Sequence, residues 1–144
     1  MERLRHIWLE YRFTILFVIV VGIAWLFLRS PMTPFGSANE VAEHVGQDRP
    51  VVLYFFSNTC SICLMAKPAV DGLQADLEQQ GVELMRFSIS DGIGTQVARQ
   101  YGVRGVPTMI VLDKRGKVGL SQVGQIDVDQ VLAYVTEEKV AQQR

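Results

Sequence analysis

The chain has 144 residues, a formal net charge of −1 and 20% charged residues, with no acidic or basic block. That length holds one domain of ordinary size plus an appendage, and the balanced charge offers nucleic acid nothing to grip, so no nucleic-acid partner is expected. Two cysteines exclude a disulfide framework and supply only half of a zinc site, while the two histidines, His6 and His44, have no metal-ligand spacing to them; no metal is expected, and nothing calls for a cofactor.

Residues 1–12 carry Arg3, Arg5 and Arg12 against Glu2 and Glu10, with Trp8 and Tyr11 among them. Residues 13–28 then run without a charge until Arg29. As a helix this run covers about 24 Å, short of a ~30 Å hydrocarbon core. Snorkelling arginines at 12 and 29 and aromatic anchors at Trp8, Tyr11 and Trp25 extend its reach, so 13–28 is predicted to be a transmembrane anchor. The arginine excess before it predicts a cytoplasmic N-terminus at 1–12 and a single-pass topology with the C-terminal domain exported, in a periplasmic or other extracytoplasmic space. The rival reading is a cleaved signal peptide, for which Gly36-Ser37-Ala38 is a passable small-residue site; the long apolar run and the prolines after it favour the uncleaved anchor. A buried soluble helix fits poorly, because the run is apolar on every face.

Residues 29–36 form a linker with two prolines and a glycine. The domain is then expected over 37–144. Ser37 with Glu40 predicts a capped short helix ended by Gly46. Val51–Phe56 is unbroken apolar sequence, suited to a central strand covered on both faces. From Cys60 the positions Ala66, Ala69, Val70, Leu73 and Leu77 keep helical spacing up to Gly81, with Pro68 inside. Residues 82–89 predict a second strand in which Met85, Phe87 and Ile89 face opposite to Arg86 and Ser88. Asp91-Gly92 reads as a turn, 95–101 as a short helix stopped by Gly102, and 109–112 as a third strand. A turn at Asp113-Lys114-Arg115-Gly116 leads into a fourth strand near 117–123. Asp127 with Gln130 caps a last helix whose apolar face is Val128, Val131, Leu132 and Val135, and 137–144 reads as a polar tail.

The chemistry lies in residues 51–68, VVLYFFSNTCSICLMAKP, where a buried strand breaks into a helix carrying Cys60 and Cys63 at its first turn. Amides at a helix start lack intrahelical partners, and the helix dipole adds partial positive charge there. Both favour a thiolate, so Cys60 is expected to be the more acidic and reactive thiol, with Cys63 one turn deeper and close enough to close a Cys60–Cys63 disulfide. A permanent disulfide at this spacing closes too small a loop to stabilise the fold much.

Cys60-Ser61-Ile62-Cys63, Pro68 five residues later, and Tyr101-Gly102-Val103-Arg104-Gly105-Val106-Pro107-Thr108 before the next strand together resemble thioredoxin, over Ser37 to about Tyr134. The resemblance implies an α/β thioredoxin fold, a central mixed sheet of about four strands flanked by helices, here preceded by one N-terminal transmembrane helix. It also implies that Pro107 is cis beside the two sulfurs and that the Val106 backbone binds an extended substrate. Cys60 and Cys63 are then catalytic, and the substrates are protein dithiols and disulfides. The function expected is a membrane-tethered thiol:disulfide oxidoreductase, the reductant direction slightly favoured, exchanging electrons with a transmembrane thiol-electron carrier. Readings of other classes are a redox sensor without turnover and a peptide-binding module. Three features depart from the family pattern. Thr59 stands where thioredoxins usually have tryptophan, and Tyr54 where many bury an aspartate. The Ser61-Ile62 pair contains no histidine to stabilise a thiolate further, which argues against a strong oxidant. Lys67 and His44 read as solvated surface groups.

Overall fold

The computed structural model describes residues 2–28 and 31–142, with side chains described over 11–26 and 31–141. The chain divides into two compact units, Met1–Ser30 and Pro31–Arg144. In the first, α1 spans Glu2–Leu28. Its described side chains are exposed on every face, from Phe13 at 70% to Leu26 at 67%. Among the described residues no helix is long and apolar enough to cross a membrane. The described side chains end at Leu26, so part of the span predicted at 13–28 lies outside them, as do Arg3, Arg5, Trp8 and Arg29.

In the second unit the elements after α1 follow as α2 (Ala38–His44), β1 (Val51–Phe56), α3 (Ser61–Gln79), β2 (Glu83–Ser88), α4 (Gly92–Gln100), β3 (Thr108–Leu112), β4 (Val118–Val123) and α5 (Val128–Gln142). The four strands form one mixed sheet in the order β2-β1-β3-β4, with β1 parallel to β2 and antiparallel to β3, and β3 antiparallel to β4. All six residues of β1 are buried, as its unbroken apolar sequence requires of a strand with neighbours on both sides and cover on both faces. Its residues alternate between two cores. Val52, Tyr54 and Phe56 pack with α3 and α5, through Val70, Leu73, Leu77, Val131 and Val135. Val51, Leu53 and Phe55 pack with α2 and α4, through Val41, Val97 and Ala98.

Local chemistry sets the boundaries. Ser37 caps α2 by accepting the Glu40 amide at 3.2 Å, while the Glu40 carboxylate reaches past it to the Gly36 amide at 2.7 Å. Helix α3 ends where Gly81 turns to φ +70 and Val82 donates back to the Leu77 carbonyl, a left-handed exit open to glycine at little cost. Asp127 accepts the Gln130 amide at 3.0 Å to start α5.

Arg86 alternates with Met85 and Phe87 as the sequence predicts, and both faces of β2 are covered: Arg86 and Ser88 are 4% and 5% exposed, with Arg86 held under α3. Several expectations are corrected. The turn at Asp91-Gly92 is a helix start: Asp91 accepts the Ile93 and Gly94 amides, so α4 begins at Gly92, three residues earlier than predicted. The polar tail is helical as far as Gln142, its Lys139 ammonium donating to the Gln80 carbonyl at the end of α3. Of the predicted linker, 31–36 is irregular, yet it packs. Thr33 gives its amide to the Arg86 carbonyl and its hydroxyl takes the Arg86 amide, which covers the open edge of β2. Phe35 stacks on Phe87 at 5.7 Å and takes the His44 ring edge-on at 5.5 Å, so His44 is an aromatic contact rather than a solvated group.

The first turn of α4 lies tight against the end of β2. A Cβ at Gly94 would run into the Ser88 carbonyl oxygen, which backbone cannot vacate cheaply. Alanine normally favours a helix by about 1 kcal/mol over glycine. Here overpacking at ~1–3 kcal/mol or more opposes that gain and wins. Gly94→Ala is therefore expected to destabilise the fold by about 2 kcal/mol in urea unfolding, and a neutral or stabilised variant would show that the contact relaxes freely.

Candidate active site

Strand β1 delivers the chain to the site. After Phe56 the polar turn Ser57-Asn58-Thr59 folds on itself: the Ser57 hydroxyl lies 2.9 Å from the Thr59 hydroxyl, and Cys60 donates its amide to the Ser57 carbonyl at 3.2 Å. This turn aims α3 back across the sheet with Cys60 at its N-cap. The Cys60 sulfur does what a serine or aspartate oxygen does at other helix starts, accepting the Cys63 amide at 3.3 Å. Pro68 lies inside α3, and the helix continues to Gln79.

The two thiols meet opposite environments. Cys60 is partly exposed and Cys63 is 4% exposed, and both are free thiols. A hydrogen bond from the Cys63 thiol, helped by the Cys63 and Ile62 amides, pulls the Cys60 thiol below its ordinary range. Burial, together with that same bond, pushes Cys63 up to about 11. One turn of helix thus separates the more acidic, attacking thiol from a thiol held in reserve.

The far wall is the loop before β3. The Val106–Pro107 peptide is cis, and the Val106 carbonyl oxygen faces the Cys60 sulfur at 3.7 Å. Pro107 gives its own carbonyl to the Gly124 amide at 2.8 Å, and Thr108 bonds the Gly105 carbonyl through its hydroxyl at 2.8 Å. The loop is tied to β4 and to itself, leaving Val106 beside the sulfur. The four residues singled out in the sequence, Cys60, Cys63, Val106 and Pro107, come together here. On the first turns of α3, Ile62 and Met65 are exposed, at 54% and 79%. Thr59 adds no apolar surface; its hydroxyl is turned to Ser57.

A charged cluster escaped the sequence reading. Arg86 places Nη1 2.7 Å from the Asp71 carboxylate and Nη2 3.3 Å from the Val70 carbonyl, under α3. Lys67 is not simply solvated, since its ammonium pairs with the same carboxylate at 2.7 Å. Burial works against ionising Asp71, but the hydrogen bonds from Lys67 and Arg86 outweigh it and hold the carboxyl below its usual range. The available signal was an arginine in a strand of a sheet covered on both faces, which demands a carboxylate on the covering helix. Beside it Tyr54, 3% exposed, is pushed up to about 12, chiefly by burial. Among the described residues no group of histidine, cysteine or carboxylate side chains is arranged to hold a metal ion.

Raised acidity at Cys60 means its thiolate persists at pH values where an ordinary thiol is protonated. Alkylation of the full chain with iodoacetamide, read by mass spectrometry, should put one adduct on Cys60 at pH values where an ordinary cysteine is still largely protonated, and reach Cys63 only as the pH nears about 11. Cys63→Ala removes the largest influence lowering Cys60, so its alkylation midpoint should move up toward that of an ordinary cysteine. Equal reactivity of both sulfurs at neutral pH would contradict the asymmetry.

Comparison with known proteins places this geometry. Residues 38–139 match the thioredoxin-like domain family. The chain is 27% identical over 99 residues to a thioredoxin of Chlorobaculum thiosulfatiphilum, covering 69% of this chain and 88% of that one. It is 33% identical over 96 residues to a thioredoxin of Rickettsia typhi, covering 63% and 85%. Among solved structures, the thioredoxin of Malassezia sympodialis superposes with a TM-score of 0.61 at 23% identity, covering 76% of this chain and 92% of that one, a likeness of fold.

Proposed function

The chain belongs to the thioredoxin-like family and is a disulfide oxidoreductase, and from that premise we propose that it is a membrane-tethered reductant of exported protein disulfides. The observation that carries the chemistry is the opposed acidity of Cys60 and Cys63 one helical turn apart. The Cys60 thiolate attacks a substrate disulfide; that bond breaks, one substrate sulfur leaves with the electron pair and takes up a proton, and Cys60 is left in a mixed disulfide. Cys63 then loses its proton and attacks the Cys60 sulfur. The second substrate thiol departs, and Cys60–Cys63 is oxidised by two electrons. An extended substrate lies along the Val106 backbone beside Pro107, a short case of strand addition, with Ile62 and Met65 as apolar contacts.

The reductant direction is supported by what acidifies Cys60. The influences that lower it are hydrogen bonds from Cys63 and Ile62, with no cationic side chain among them. A strong oxidant is one whose reduced form is specially stabilised, and here no cationic side chain adds to the hydrogen bonds on the thiolate. Membrane tethering is supported by α1, whose large apolar side chains from Phe13 to Leu26 are exposed rather than packed on one stripe. With residues 1–12 in the cytoplasm and 13–28 in the bilayer, 29–36 leads to an oxidoreductase domain at 37–144 on the periplasmic or other extracytoplasmic side. Turnover as a reductant then needs a supply of two electrons, and a transmembrane thiol-electron carrier confined to the same bilayer meets the domain at raised effective concentration.

Cys63→Ala in the native membrane should accumulate mixed disulfides through Cys60, seen on non-reducing gels and lost with dithiothreitol. Acid-quenched alkylation of the unaltered chain should find the pair mostly as thiols, and an impermeant thiol reagent should reach Cys60 in spheroplasts. No adducts would remove the exchange mechanism, a mostly oxidised pair would reverse its direction, and a protected Cys60 would overturn the exported placement.

A further inference from the structure

Tyr54 and Arg86 are Cα partners in the β1–β2 ladder. Tyr54 packs in the core beneath α3 that also holds Cys63, and Arg86 reaches α3 through Asp71 and Val70. Both are buried, at 3% and 4% exposed. Among the described residues neither the Tyr54 hydroxyl nor the Arg86 Nε has a hydrogen-bond partner, although the other two guanidinium nitrogens are engaged. The titratable groups around the tyrosine are Cys60, Cys63 and Asp71 on α3, with Lys67 on that carboxylate, and Arg86 on β2. The core side chains that β3 and α5 bring to the same cluster are apolar, Met109, Val111, Val131 and Val135.

As core filler this hydroxyl is a poor choice. Phenylalanine occupies the next two positions of the same strand, and a desolvated hydroxyl without a partner weakens a fold that phenylalanine would not. An unengaged donor in the same core cluster as a sulfur that carries negative charge only in mid-reaction is what preorganised stabilisation calls for. We propose that the Tyr54 hydroxyl, with the Arg86 guanidinium behind it, is a donor reserved for the Cys63 sulfur as it loses its proton, making Tyr54 a positioning residue for the resolving step. The inference rests on the reading that Cys63 resolves the mixed disulfide. In that step the proton leaves Cys63, its sulfur bonds the Cys60 sulfur, the Cys60–substrate bond breaks, and the departing substrate sulfur takes up a proton. Tyrosine is not the base. Burial keeps its hydroxyl neutral, so it has a proton with which to donate.

The test is Tyr54→Phe in the reduced full-length chain in detergent, mixed with excess dithiobis(nitrobenzoate) under stopped flow. The first nitrothiobenzoate released reports attack by Cys60 and the second reports resolution by Cys63. The variant should melt at the same temperature or higher and keep the first phase. Its second phase should slow about tenfold at neutral pH, with its pH midpoint raised by about one unit. A second phase whose midpoint stays put or falls would overturn the role of Tyr54 while leaving the exchange mechanism standing. A wild-type chain with no second phase would remove the resolving step, and this proposal with it.

Discussion

At the start of α3 the backbone amide of Cys63 points at the sulfur of Cys60. The same peptide unit that ends the run of unpaired helix amides also stabilises negative charge on the exposed sulfur, and the following turn carries the second sulfur inward. Burial then raises Cys63 while hydrogen bonding lowers Cys60. Two chemically identical side chains become an attacking group and a resolving group because a helix has 3.6 residues per turn and a core beneath it.

Everything else in the domain holds that helix start against its partner loop. β1 is wholly buried between β2 and β3, so its end is a fixed point from which the Ser57–Thr59 turn launches α3. β3, antiparallel to β1, begins at the same end of the sheet and brings Val106 and Pro107 to the sulfur. Sheet pairing converts a separation of more than forty residues into a contact of 3.7 Å. β2 contributes differently. Its Arg86 anchors α3 through Asp71 and Val70, while its backbone receives Thr33, so the segment entering the domain and the helix bearing the cysteines are tied to one residue.

The order of elements was readable because each signal is local. Ser37, Asp127, Gly81 and Gly102 mark ends through hydrogen bonds or dihedral angles confined to a few residues. Errors arose where a local signal had two meanings. Asp91-Gly92 reads equally as a turn or a helix cap, and only the Ile93 and Gly94 amides meeting one carboxylate decide for the cap. Alternation in 82–89 gives the two faces of the strand but not their cover, and a helix on each side of the sheet buries both. The linker prolines correctly argued against regular structure, yet said nothing of Phe35 finding Phe87.

By itself the sequence determined the class of chemistry. Two cysteines three apart, after an apolar strand and on a helical apolar pattern, need only short-range physics to become a redox pair. The prolines and glycines around them carry their meaning in their own backbone limits. Tertiary structure alone decided which residues surround that pair. That Tyr54 lies beside Arg86, that Arg86 is paired rather than solvated, and that Val106 faces Cys60 all follow from strand register and helix cover. Those are sums over many contacts distant in sequence, and no single residue encodes them.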